Sequence, residues 1–239
     1  MSNQNIKLPR YAVFAKPRTS SVALTQMLIR IWEVKQNKKL TFDEMFWCSG
    51  RAISLYKDGR TNFLNECPEG YPPFKLEASM VLSEHVPHLE AFVHNNNYIP
   101  IFIERDNLEV LTSFYISSLS HFHDFHAFKS RNFHKPRVEG TREEEFFSWT
   151  IDERLERLKE IVNVVLTFHD RDKSIREKFP NHVVLQHKDI RDDITKALPL
   201  LGVELKEELS LRLRVKKSVP FDITTEEKIA LAEFAELMT

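Results

Sequence analysis

Glycine is scarce in this chain: 5 among 239 residues, against 18 phenylalanines. So few freely turning residues argue against an all-β fold of many short hairpins and favour long helices. Cysteine is nearly absent. Cys48 and Cys67 form no C-x-x-C pair and can make at most one bridge, so the expected setting is a reducing compartment, the cytosol. No run approaches ~18 consecutive apolar residues, so no membrane-spanning helix is expected. The polar start "MSNQNIKLPR" lacks the apolar stretch of a secretory signal. An excess of one charge is missing too: 34 Lys and Arg face 35 Asp and Glu, a net of -1. General nucleic-acid or membrane-surface binders are far more basic, so neither class of partner is expected. What is present is the composition of a soluble globular protein, 42% hydrophobic and 29% charged. No repeat, low-complexity stretch or linker interrupts it, and a single domain over residues 1–239 is expected.

The hydrophobic patterning alternates between short apolar runs and helical periodicity. "RYAVFA" (residues 10–15) reads as a buried strand. A polar turn follows, then Leu24, Met27, Leu28 and Ile31 at helical spacing, with Thr19, Ser20 and Ser21 as N-cap types. A second helix is expected near "TFDEMF", where Thr41 and Glu44 fit a capping box. "PFKLEASM" contains a strand start, and "SEHVPHLEAFVHNNN" reads as a helix interrupted by Pro87. "YIPIFIER" is a buried strand, with Pro100 placed early in it or near an edge. "DNLEVLTSFYISSL" and "SWTIDERLERLKEIVNVVLTFHDR" are helices, "HVVLQHKDI" a strand, and "DDITKALPLLGVEL" a helix closing at Gly202. "TTEEKIALAEFAELM" is a terminal helix. The charges of "DERLERLKE" read as a solvated helix face. Alternation of this kind predicts an α/β fold in three layers, a mostly parallel central sheet flanked by helices.

In such sheets ligands sit beyond the carboxyl ends of the strands, and two ends attract notice. At the first, Lys16 and Arg18 bracket a turn that opens a helix, with hydroxyls from Thr19, Ser20 and Ser21. Helix-opening amides lack internal partners and carry partial positive charge, so a phosphate-sized anion finds donors there. An ordinary strand-to-helix connection with solvated basic residues reads equally well. The pattern G-x-x-x-x-G-K-S/T is absent, which excludes a conventional ATP or GTP hydrolase. At the second end, Arg105 leaves a strand and Ser113 follows eight positions later on a helix. There, pairing of Arg105 with Asp106 or Glu109 is the plain alternative.

Taken together and in order, these segments resemble the sulfotransferases that use 3′-phosphoadenosine 5′-phosphosulfate (PAPS). The family's first signature is a strand, a loop like P-K/R-S-G-T-T-x-L, and a helix. "PRTSSVAL" is similar to it at Pro17, Arg18, Thr19, Ser21 and Leu24. The second is a strand ending R-D-P, with serine eight residues after the arginine, which "ERDNLEVLTSFY" resembles at Arg105, Asp106 and Ser113. A late segment, "VVLQHKDIRDDITKALPLLGVEL", resembles the family's strand, loop and helix ending in leucine-glycine. The likeness covers roughly residues 10–205. Two departures stand out: Ser20 replaces the loop glycine, and Asn107 replaces the R-D-P proline. A serine in a left-handed turn costs ~1 kcal/mol or more, so the loop either turns differently or accepts that strain.

The resemblance implies a P-loop-NTPase-like fold and PAPS as co-substrate, with adenosine 3′,5′-bisphosphate as product. It implies that Arg18 contacts the 5′-phosphosulfate, that Thr19, Ser20 and Ser21 supply donors, and that Arg105 and Ser113 hold the 3′-phosphate. Lys216 and Lys217 in "RVKKSVPF" stand in for the family's R-K-G loop, or are a solvated pair. No metal is expected, because fixed cations and amides balance the charge. The acceptor is expected to be a hydroxyl of a carbohydrate, lipid or small molecule, which needs a general base. Glu44 is the first choice and Glu77 the second, with His85 after them; Lys75 matches the lysine of the family's K-T-H segment, and Glu77 falls where the basic histidine stands. The acceptor site is expected in residues 48–73 and 116–148, and the cluster His121, His123, Asp124 and His126 reads as part of a lid rather than a metal site. A kinase or phosphotransferase with an unusual loop, and a catalytically inactive nucleotide-binding module of the same fold, are the competing readings.

Overall fold

The structure is a computed structural model that describes residues 9–16, 19–50, 61–77, 81, 83–120, 149–203 and 223–238. The chain divides into two compact units. One comprises residues 1–105 and 168–215, the other residues 106–167 and 216–239.

The first unit is built on a four-stranded, all-parallel sheet: β1 (Arg10–Ala15), β2 (Phe74–Glu77), β3 (Tyr98–Glu104) and β4 (Val183–Gln186), in the spatial order β2-β1-β3-β4. Register pairs Ala12 with Phe74 and with Pro100, and Ile101 with Val183. The period of two along β1 sends successive side chains to opposite faces. Tyr11 and Val13 join a core with Leu24, Met27, Leu28 and Ile31 of α1 (Ser21–Gln36) and with Ile190 of α6 (His187–Asp193). Ala12 and Phe14 join another with Trp47 of α2 (Phe42–Gly50), with Leu89 and Val93 of α3 (Val86–Asn95), and with Ile175 and Phe179. Helices therefore cover both faces of the sheet, as the alternating pattern predicts. Strands buried on both sides need near-continuous apolar runs, and "YAVFA" and "IPIFI" supply them.

Local departures from the expected elements have simple causes. Pro87 does not interrupt a helix. It lies in the first turn of α3, where its missing N–H costs nothing. Pro100 sits in an interior strand, but β4 pairs with β3 only from Ile101 onward, so β3 is locally an edge at the proline. The expected strand "HVVLQHKDI" ends at Gln186, and α6 starts at the next residue, His187. The helix expected after it is broken: α6 gives way to a 3₁₀ turn (Ile194–Lys196) and a short α7 (Ala197–Leu200), closed by Gly202 at φ +66. Both cysteines are free thiols.

The second unit contains α4 (Asn107–Ser120), residues 151–167 of the long α5 (Ile151–Arg176) and α8 (Thr225–Glu236), packed around Leu111, Tyr115, Leu158, Val162 and Leu231. At its centre the fully buried Glu227 accepts two hydrogen bonds from Arg154, Nε at 2.9 Å and Nη2 at 2.8 Å, and one from the Tyr115 hydroxyl. The same carboxylate closes the capping box of α8 with Thr224. Of the boundaries between the units, one falls between Arg105 and Asp106 and another inside α5, and neither of these is a linker; the one between Val215 and Lys216 lies outside the described residues.

Candidate functional site

The strand order creates one distinctive place in the first unit. The chain leaving β1 goes to β2 on one side, whereas the chain leaving β3 goes to β4 on the other. Between two adjacent strands whose connections diverge in this way, a crevice opens at the carboxyl ends. Lys16 and the loop to α1 stand at the end of β1, and Arg105 stands directly after β3. Lys16 and Arg105, both of the first unit, thus stand at the two strand ends that flank that crevice.

The loop accepts the strain. Ser20 adopts φ 60, ψ 17, the left-handed conformation that glycine takes without cost. It occupies the N-cap position, but its side chain makes no capping bond. Its hydroxyl lies 3.1 Å from Nε2 of the buried His187. The first intrahelical bond runs from Leu24 N to Ser20 O, so the amides of residues 21–23 are orphan donors of α1 that no cap side chain engages. Thr19, almost wholly buried, donates its hydroxyl to the Lys16 carbonyl at 2.8 Å and braces the loop from within. Ser21 is buried, and its carbonyl accepts from the Thr25 hydroxyl. Arg18 lies outside the described residues, as do Lys216, Lys217 and the cluster His121, His123, Asp124 and His126.

Under the other sheet face, a charged network closes the carboxyl edge of β1 and β3. Lys16 Nζ is 2.9 Å from His169 Nδ1. Glu104, the last residue of β3, accepts from Arg176 Nη1 at 2.6 Å and from Gln186 at 2.9 Å. These bonds, the one from Arg176 first, hold its carboxyl below the ordinary glutamate range. Burial lowers the Lys16 ammonium's affinity for its proton, against the attraction of Asp172 and Glu104. Burial, and then the charge of Lys16, keep His169 neutral further down the pH scale than a free histidine. His169, Asp172 and Arg176 share one face of the last turns of α5 through their i, i+3 and i+7 spacing.

The expected bases fare differently. Glu77 ends β2 in register with Ala15, so it stands at the carboxyl edge beside the loop, with Lys75 Nζ 2.9 Å from its Oε1. Glu44 is not brought there. Its carboxylate accepts from Thr41 N at 2.7 Å while Glu44 N binds the Thr41 hydroxyl, and Lys38 lies 3.7 Å away. Lys38 also reaches Glu69, which precedes β2. Glu44 therefore sits at the amino edge of the sheet, separated from the crevice by the 16-residue α1, a span of about 24 Å. The capping bonds, chiefly the one from Thr41 N, hold its carboxyl below the ordinary range, which suits a structural anion rather than a proton acceptor. His85 closes a 3₁₀ turn and pairs with Glu84 at 3.9 Å. Arg105 is half-buried and belongs to the first unit, whereas Ser113, on α4, belongs to the second.

The sequence reading missed His187, His169 and Asp172. His187 was hidden by a strand drawn too long. The pair on α5 was hidden because charges on a helix read as solvated, although the i, i+3, i+7 spacing of His169, Asp172 and Arg176 was available as a signal. Among the described residues no group of three or more His, Cys, Asp and Glu side chains is disposed to hold a metal ion, and no helix is long and apolar enough to cross a membrane. No family model matches the chain, and no curated protein matches it.

Proposed function

We propose that this chain transfers a sulfuryl group from PAPS to a hydroxyl of a carbohydrate, lipid or small-molecule acceptor, on a P-loop-like α/β scaffold. The observation that carries the reading is the left-handed Ser20. It stands where the resembled loop has glycine and takes the conformation that glycine would take, at the mouth of the switch-point crevice. A serine held there against its preference keeps the opening amides of α1 directed at the crevice, which is what an anion-binding turn requires.

In this reading the amides of residues 21–23 and the guanidinium of Arg18 engage the 5′-phosphosulfate, and Arg105 engages the 3′-phosphate from the opposite rim. The part given to Ser113, Lys216 and Lys217 rests on the sequence resemblance. In-line attack on sulfur builds negative charge on the bridging oxygen of the leaving phosphate, and fixed cations and amides stabilise it. Of the two expected bases, only Glu77 stands at the same edge of the sheet.

Thermal shift tests the reading directly. Adenosine 3′,5′-bisphosphate without metal is expected to raise Tm, because a ligand that binds only the folded state stabilises it. Stabilisation by ATP with Mg²⁺ and none by the bisphosphate would overturn the proposal in favour of a phosphotransferase.

A further inference from the structure

We propose that Ser20 and His187 form a nucleophile–base pair that cleaves carboxylic esters, an activity beyond sulfuryl transfer and independent of it. The Ser20 hydroxyl lies 3.1 Å from His187 Nε2, within the reach over which a base takes a serine proton. The two residues are 167 positions apart and meet because β1 and β4 run parallel and end at the same edge of the sheet. The turn makes the pair. An N-cap serine ordinarily has an extended backbone and places its hydroxyl on the amides of its own helix. Ser20 is left-handed instead, makes no capping bond, and its hydroxyl meets the imidazole. Strain of this kind gathers at sites where one side chain must stand in one place. Thr19 is almost wholly buried on the Lys16 carbonyl and Ser21 is buried at the head of α1, whereas Ser20 is partly exposed. His187 is 5% exposed, and its neighbour Gln186 is bonded to Glu104 at 2.9 Å. The base is thus held in place by burial and by the strand end that carries it.

With its own proton on Nδ1, the imidazole takes the Ser20 proton at Nε2 as Oγ attacks the carbonyl carbon of the ester. The carbonyl electron pair moves onto oxygen. The amide of Ser21, one residue beyond the nucleophile, is among the orphan donors of α1 and suits that developing charge. Collapse expels the alcohol oxygen, which takes the proton back from His187 and leaves an acyl ester on Ser20. Water then gives a proton to His187, attacks the acyl carbon and releases the carboxylic acid as Ser20 regains its proton. The balance needs only the ester and water.

The test treats the full chain with a fluorophosphonate, which an activated serine attacks at phosphorus with loss of fluoride. Expected is a single label per chain, mapped to Ser20 by mass spectrometry of its peptides, and hydrolysis of p-nitrophenyl acetate that the label blocks. S20A should take no label and lose the esterase rate. H187A and H187Q should both be labelled about 10²-fold or more slowly. Glutamine can still hold the serine hydroxyl by a hydrogen bond but cannot take its proton, so H187Q separates proton transfer from bracing of the turn. No label on the wild type, label on another serine, or a wild-type labelling rate in H187Q overturns the assignment. No nucleotide is present in these measurements. Their failure therefore leaves the transfer reading standing, and failure of the wild type to bind adenosine 3′,5′-bisphosphate strikes that reading alone.

Discussion

Replacing Ser20 by glycine isolates the cost of the left-handed turn. For an L-residue that conformation costs ~1–2 kcal/mol, and the hydrogen bond between Ser20 and His187 returns ~0.5–1.5 kcal/mol net. The two nearly cancel, so S20G alone should change stability by less than about 1 kcal/mol. H187A is different. It removes the partner that holds the serine hydroxyl, and the loop is then free to relax out of the left-handed region. In the wild-type background the lost preorganisation of ~1–2 kcal/mol should weaken adenosine 3′,5′-bisphosphate by about 5–30-fold. In the S20G background glycine holds the turn without help, and the same substitution should cost less than about threefold. Both affinities are read by calorimetric titration. The cavity left by a buried histidine enters both arms of the cycle and drops out of the difference. If H187A weakens the nucleotide equally in both backgrounds, His187 does not hold the turn and the argument from strain fails.

Other consequences follow from groups already placed. E227A leaves the Arg154 guanidinium buried without its carboxylate and should cost about 3–5 kcal/mol in urea denaturation; a loss under about 1 kcal/mol would show that the buried pair stabilises little. E44Q breaks the capping box at α2 and should cost about 0.3–1.5 kcal/mol while leaving bisphosphate affinity unchanged. Because the folded Glu44 titrates below its ordinary value, its contribution is complete above that value and fades as pH falls through the lowered one. The melting difference between E44Q and wild type should therefore shrink in acid, and a difference independent of pH refutes the assignment.

The order of elements was legible because β1 and β3 are apolar runs and α1 and α5 carry clean helical spacing. The placement of Lys16 and Arg105 after neighbouring strands was legible in the same way, and parallel topology puts both at one edge of the sheet. Boundaries were not. Nothing in "LQHKD" marks where the strand stops, since Gln186 and His187 are polar and suit either state. The position of Glu44 was hidden for a different reason. A glutamate three residues after a threonine is a capping signal, and its distance from the crevice depends on the direction of α1, which sequence proximity to the loop disguises. The division into two units was invisible for a related reason: it cuts through α5, where the periodicity runs on undisturbed.

The junction of β4 with α6 contains no spare residue. Gln186 reaches Glu104 at the end of β3, while its immediate successor, His187, reaches Ser20 in the loop after β1. One peptide unit thus ties down two neighbouring loop roots at once. An inserted or deleted amino acid at this point would rotate one of the two side chains away whichever register the rest of the strand kept. Length variation at this joint therefore disturbs two loop roots together, even though neither residue belongs to a glycine-rich or otherwise conspicuous motif.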